Sequence, residues 1–372
     1  MLYFDNAATT KMSKASLDAY ISSSDSFYNP SSLYAQSGKV QKQIEDARNY
    51  FLTKLKAKSG STFIFTGSAT ESNNTVLNAH ITRKDKKYIF SAGEHSSIYE
   101  TAKHYKEQGY NIVFIPLLLN GAIDTNKLYE EIDETVALVS IIYVSNETGA
   151  INDIKSITKQ IKTKNASIIV HTDAVQAVGK VDINLKELNV DYLTISAHKI
   201  NGPKGIGGLY IANPNKFKPF MLGGGQEKGF RAGTENLPQI EAFKVAMENV
   251  KCFNALQHKL ALLDNLKVND YILVSTNNCV DNIISLCFKG VRGETILHML
   301  ESDGYLIGTG SACNSKAGHN RVLSGIVPND YIEGAIRISF GEEITIEDCV
   351  NLGKALSNAV NTYRERIKRW IM

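Results

Sequence analysis

Between residues 62 and 212, short apolar runs alternate with amphipathic segments. The runs are TFIFT (62–66), KYIFS (87–91), IVFIP (112–116), ALVSIIYVS (137–145), SIIVHT (167–172), DYLTIS (191–196) and GLYIA (208–212). They are rich in Ile, Val, Phe and Tyr, and several lack polar alternation, as strands covered on both faces do. Segments such as SSIYETAKHYKEQG and IKSITKQIKTK sit between them with helical spacing. This repetition predicts a mainly parallel sheet wrapped by helices. The link from IVHTD to DYLTIS is brief, so an irregular connection is expected there. After Pro238 the pattern changes. It predicts one long helix over 239–266, short strands in YILVS and NIISLCF, and a helix in GETILHMLESDG. A Gly/Ser-rich loop, the strand AIRISFG and a last helix from about Ile346 follow. The expected organisation is an α/β large domain (16–238) and a smaller α+β domain (239–372), with an N-terminal arm (1–15) joining the two.

Composition narrows the class. With 372 residues and 43% hydrophobic content, a sizeable core is expected and global disorder is not. The 41 Lys+Arg against 38 Asp+Glu leave a charge of only +3, which argues against a dedicated nucleic-acid binder. The basic tail YRERIKRWIM reads as the solvated face of the last helix. Five cysteines (Cys252, Cys279, Cys287, Cys313, Cys349) show no CxxC pair and no metal-ligand spacing. No secretory segment and no 18-residue apolar run is present. The expectation is a soluble, reduced, cytoplasmic protein with no membrane contact, no metal and no direct nucleic-acid partner.

In an open parallel sheet, ligands gather beyond the carboxyl ends of the strands. Five strands here are followed by polar residues. Gly67 to Glu71 follow TFIFT, Glu94 and His95 follow KYIFS, and Asn146 to Gly149 follow SIIYVS. Asp173 and Gln176 follow SIIVHT; Ser196, His198 and Lys199 close DYLTI. Taken singly, each has an ordinary reading: Ser68 or Thr70 as helix caps, His95 as a surface histidine, Lys199 as a solvated lysine. Together they match one need. A helix start with Gly, Ser and Thr suits a phosphate. A buried aspartate can hold a protonated ring nitrogen, a lysine can form a Schiff base with an aldehyde, and a ring held between them could stack on His95. Phosphate, ring nitrogen and aldehyde describe pyridoxal 5′-phosphate (PLP).

The runs FDNAATT, TGSATESNN, EHSSI, NETG, HTDAVQAVGK, SAHKINGPKGIGGLY, GGGQEKGFRAGTEN, GSACNS and AIRISFG resemble the NifS/IscS-type cysteine desulfurases of the class V aminotransferases, in order and over nearly the whole chain. The resemblance implies a fold-type I PLP-dependent transferase and assigns roles. Lys199 would carry the cofactor, Asp173 would pair with its ring nitrogen, and Gln176 and Asn146 would bond its phenolic oxygen. His95 would stack on the ring and transfer protons. Ala69, Thr70, Ser196 and His198 would cradle the phosphate. Thr234 would reach a neighbouring subunit's phosphate, implying a homodimer. Arg337 would clamp the substrate α-carboxylate, with Asn146 beside it. Cys313, alone among the cysteines in a polar Gly/Ser loop, would take sulfur from L-cysteine as a persulfide and pass it to an acceptor protein in an iron–sulfur, tRNA-thiolation or thiamine pathway. Selenocysteine lysis, class V transamination and a degenerate, non-catalytic partner subunit are the alternatives. Tyr34 stands where many relatives carry histidine and receives no role. The segment from Cys313 to Arg337 looks slightly short, and the chain ends soon after its last helix. That leaves docking of an iron–sulfur scaffold an open expectation.

Overall fold

The computed structural model describes residues 1–309 and 320–371, with side chains through 368. The chain opens with β1 (Leu2–Tyr3) and then builds one large sheet from seven strands. These are β2 (Thr62–Thr66), β3 (Lys87–Ser91), β4 (Asn111–Ile115), β5 (Val136–Ser140), β6 (Ile169–Asp173), β7 (Tyr192–Ser196) and β8 (Gly207–Ile211). Their spatial order is β2-β8-β7-β6-β5-β3-β4. All neighbours pair parallel except β8, which runs antiparallel to both β2 and β7. The expected mainly parallel sheet is therefore present. β2, β7 and β8 are buried along their whole length, as covered strands must be. The link between β6 and β7 is irregular, holding only the short helix Leu185–Leu188.

β8 can lie where it does because Gly207 has no side chain. A Cβ there would stand 2.6 Å from the Ser68 carbonyl carbon and 2.7 Å from the Ala69 nitrogen. The glycine thus brings the sheet against the start of the helix Ala69–His80. Ser68 caps that helix by accepting from the Glu71 amide, so the ordinary capping role holds for Ser68.

The remaining strands are β9 (Tyr271–Leu273), β10 (Ile283–Phe288), β11 (Tyr305–Leu306) and β12 (Ala335–Ser339). β12, β10 and β9 form an antiparallel sheet. A second apolar core gathers there around Leu286, Phe288, Ile338 and Leu356, apart from the core under the large sheet. The N-terminal arm ties the two together. β1 pairs with β11, Phe4 sits in the second core, and Ala7 sits in the first.

Two expectations need correction. The long helix over 239–266 is two helices, Leu237–Asn249 and Leu256–Asp264. No Gly or Pro marks the break. Val250 is extended, and Asn254 accepts from the Leu256 amide to start the second helix. The apolar run 137–145 is strand only to Ser140, because its later residues turn back and Asn152 bonds the Ile142 carbonyl. The last helix begins at Ile346 as expected.

Candidate active site

The carboxyl ends of β2, β3, β5, β6 and β7 open onto one cavity of about 590 Å³. Ten residues expected at the site line it: Ala69, Thr70, His95, Asn146, Asp173, Gln176, Ser196, His198, Lys199 and Arg337. Two do not join them. Thr234 is exposed and absent from the cavity wall of this single chain. Cys313 lies outside the described residues.

Lys199 answers why a chain would end a core strand with a lysine. β7 carries it inward through a short 3-10 turn, Ala197–Lys199. Its Nζ donates to the carbonyls of Ala7 (2.7 Å) and Ala8 (2.6 Å). Among the described residues it has no carboxylate partner at ion-pair distance. Burial, then the nearby charges of Arg337 and Lys180, bring its pKa down to about 8. An amine so placed is a nucleophile and base near neutral pH.

Asp173 ends β6, almost fully buried. Its Oδ2 accepts from Asn73 Nδ2 at 2.8 Å, and its Oδ1 accepts from the Val175 amide at 2.9 Å. Asn73 Nδ2 also donates to Ser97 Oγ at 2.9 Å. A carboxylate only accepts, so the Asn73 atom facing both is its amide nitrogen. Ser97 Oγ in turn lies 2.9 Å from His95 Nδ1, and the Ser97 backbone amide donates to that same nitrogen at 3.2 Å. Nδ1 is therefore the unprotonated nitrogen, and the ring carries its proton on Nε2. A chain of bonds thus links Asp173 to His95 and sets the histidine tautomer. Crowding around the ring lowers the His95 pKa, and Lys199's charge adds to that against the pull of Asp173.

At one end of the cavity the helix Ala69–His80 presents its first amides, at Ala69 and Thr70. Ser196 and His198 stand on the same wall. His198 Nδ1 lies 3.1 Å from Thr9 Oγ1, and burial brings the His198 pKa down to about 4, so the ring is neutral near pH 7. At the other end is Arg337, nearly buried on β12. It donates to Asp5 Oδ1 (2.7 Å) and the Asn146 carbonyl (3.0 Å), while its Nε has no partner among the described residues.

Several residues here carried no role from sequence. Asp5, Ala7, Ala8 and Thr9 of the arm bond Arg337, Lys199 and His198. Glu94 is buried; its Oε1 accepts from the Ile142 amide and its Oε2 has no partner among the described residues. Burial pushes that carboxyl well above the usual range, and the charge of Asp173 adds to it. Arg321 stacks 3.7 Å over the Tyr99 ring and donates to the carbonyls of Ala92 and Glu94, pinning the turn that carries His95. The sequence signal for the arm was the run FDNAATT itself; backbone carbonyls leave no other trace.

The arrangement fits PLP. The cavity is of cofactor size. Donors cluster at one end for a phosphate, a buried acid stands in the middle for a ring nitrogen, and an unpaired amine is within reach of an aldehyde. Among the described residues no cluster of metal ligands competes with this reading.

The family model for aminotransferase class-V matches residues 2–352. Cysteine desulfurase 2 of Trichormus variabilis is 36% identical over 93% of this chain and 89% of its own length. This chain belongs to the cysteine desulfurases of the class-V aminotransferase family. A solved NifS-like protein matches this class-V enzyme with a TM-score of 0.88 and 31% identity, over 97% of this chain and 99% of its own. Another solved structure, described as SspA in complex with cysteine, matches with a TM-score of 0.81 and 29% identity, over 91% and 98%. The fold-type I architecture expected from the sequence is the one present.

Proposed function

We propose that this enzyme removes sulfur from L-cysteine, leaving L-alanine and a persulfide on Cys313 that passes to an acceptor protein. The observation that carries the reading is the half-buried Lys199 amine, which has no carboxylate partner among the described residues and shares one cavity with Asp173 and His95. That the solved neighbour SspA is described in complex with cysteine supports the substrate.

Bound PLP supplies an aldehyde for amine condensation and a protonated ring that withdraws electrons from the substrate Cα. Lys199 would hold the cofactor and, as a free amine, would take the Cα proton on Nζ. Asp173, held in place by Asn73 and the Val175 amide, keeps the ring nitrogen position protonated. Gln176 and Asn146 would bond the ring's phenolic oxygen. The Ala69 and Thr70 amides, with Ser196 and His198, would hold the phosphate. His95 would stack on the ring, its Nε2–H available as a proton donor. Arg337 would grip the substrate carboxylate through its planar fork, whose Nε has no partner among the described residues. The Cys313 thiolate attacks the substrate sulfur; the S–S bond forms as the Cβ–S bond breaks, and the carbon takes the electron pair and then a proton. Cysteine plus thiol thereby becomes alanine plus persulfide, with no external oxidant.

We further infer a homodimer in which Thr234 reaches the second subunit's cavity. Support comes from its exposure, and from the exposed Phe220, Met221 and Leu222 on the same loop. Among the described residues no helix is long and apolar enough to cross a membrane.

Cys313→Ser tests the nucleophile. It is expected to retain the visible absorbance of bound PLP and to lose sulfide release. Normal alanine production from cysteine by that variant would overturn the assignment.

A further inference from the structure

A second lysine stands behind the site. Lys180 follows Gly179, whose φ of +76° turns the chain and whose place tolerates no side chain, because a Cβ would meet Val250 at 2.5 Å. The turn points Lys180 back at Gln176, with Nζ 3.2 Å from Gln176 Oε1. Gln176 Nε2 donates to the Ala7 carbonyl at 2.8 Å. A lysine only donates and a carbonyl only accepts, so both contacts dictate the same amide orientation. The Ala7 carbonyl spends its other lone pair on Lys199 Nζ. Ala7 and Lys199 line both the site cavity and a second cavity of about 520 Å³, which Lys180 also lines.

We propose that Lys180 is a positioning residue for Lys199: it fixes the Gln176 amide, and through the shared Ala7 carbonyl and its own charge it sets the state of the Lys199 amine. This rests on the reading of Lys199 as the cofactor-binding lysine. Burial alone brings the Lys180 pKa down to about 8, with no charged neighbour offsetting it. Lys180 lowers the pKa of Lys199, as Arg337 does, while Asp5 and Asp173 raise it. His95, His198, Lys204 and Arg321 share the site cavity, along with Glu94 and Glu147. Lys251, Glu342 and Glu343 line the cavity behind. All of these are unchanged by substitution at Lys180, so a shift in Lys199 reports Lys180.

The test uses the full chain freed of bound PLP. Lys199 is labelled with PLP and borohydride across pH and quantified by peptide mass spectrometry, with thermal unfolding run alongside. The wild type is expected to show a labelling midpoint near 8, from the Lys199 value of about 8. Lys180→Met should raise the midpoint by roughly half to one pH unit, or three- to tenfold less labelling below it. Lys180→Gln reads the same effect should the Met variant fail to fold. Lys180→Arg, which keeps charge and donors, should stay near the wild type. An unchanged midpoint in the Met and Gln variants, or an equal rise in the Arg variant, would overturn the proposal while leaving the proposed function intact. A wild-type Lys199 that takes no label would overturn both.

Discussion

Two cations of this chain, Arg48 buried and Lys199 half-buried, are treated in opposite ways. Arg48, in the helix Ala35–Lys54 beneath the large sheet, is 2% exposed and paired with two acids. It pairs with Glu227 at 2.6 Å and Glu45 at 3.2 Å, and donates to the Phe63 carbonyl. Burial alone would lower its pKa, but those acids more than offset the loss and hold it above its ordinary value. Lys199, just beyond β7, has two carbonyls as its partners among the described residues, and burial brings its pKa down. A partnered cation locks neighbouring elements together. One that has carbonyls but no paired acid stays reactive, with its pKa drawn towards neutral pH.

That contrast can be broken from either side. Lys199→Met should lower desulfurase turnover by roughly 10³-fold or more, the scale of a positioned proton-transfer group. Because it removes an unpaired cation, stability in urea should stay level or rise. Arg48→Met should do the reverse. It leaves the Glu227 carboxylate buried, with Oε1 already lacking a partner, and should cost about 3–5 kcal/mol in urea unfolding. Turnover per folded molecule should be kept. If Lys199→Met destabilised as much as Arg48→Met, the distinction between the two sites would fail.

The next effects sharpen the account. Arg337→Lys keeps the charge but loses the planar fork. It should cost about 1.5–3 kcal/mol in kcat/KM, felt mainly as a higher KM for cysteine in steady-state kinetics. Ser97→Ala cuts the link between Asn73 and His95 while leaving the Ser97 backbone amide on Nδ1. A loss of about 1 kcal/mol in kcat is expected, with KM nearly unchanged. Nitrogen NMR of His95 should still find the proton on Nε2; a proton on Nδ1 would contradict the hydrogen-bond chain.

The sheet was legible because strands covered on both faces must be apolar throughout, and TFIFT and KYIFS coincide with β2 and β3 residue for residue. The break at 250–255 was not, because a turn in which Asn254 accepts from the Leu256 amide leaves a weaker mark than Gly or Pro. Much of the site was legible for a related reason: polar side chains directly after apolar strands stand out. The arm's part was hidden. Ala7 and Ala8 act through carbonyls, some 190 positions away in sequence from the lysine they hold. Arg321 and Asn73 act by holding Glu94 and Asp173 in place, which only tertiary packing displays.

The central claim is that the unpaired amine of Lys199 serves a desulfurase. The most direct measurement incubates the PLP-loaded enzyme with L-cysteine and quantifies alanine against total released and protein-bound sulfur. The account predicts one alanine and one sulfur per cysteine consumed, and neither from Lys199→Met. Pyruvate and ammonia in place of alanine, or alanine that forms only when a keto acid is added, would contradict it.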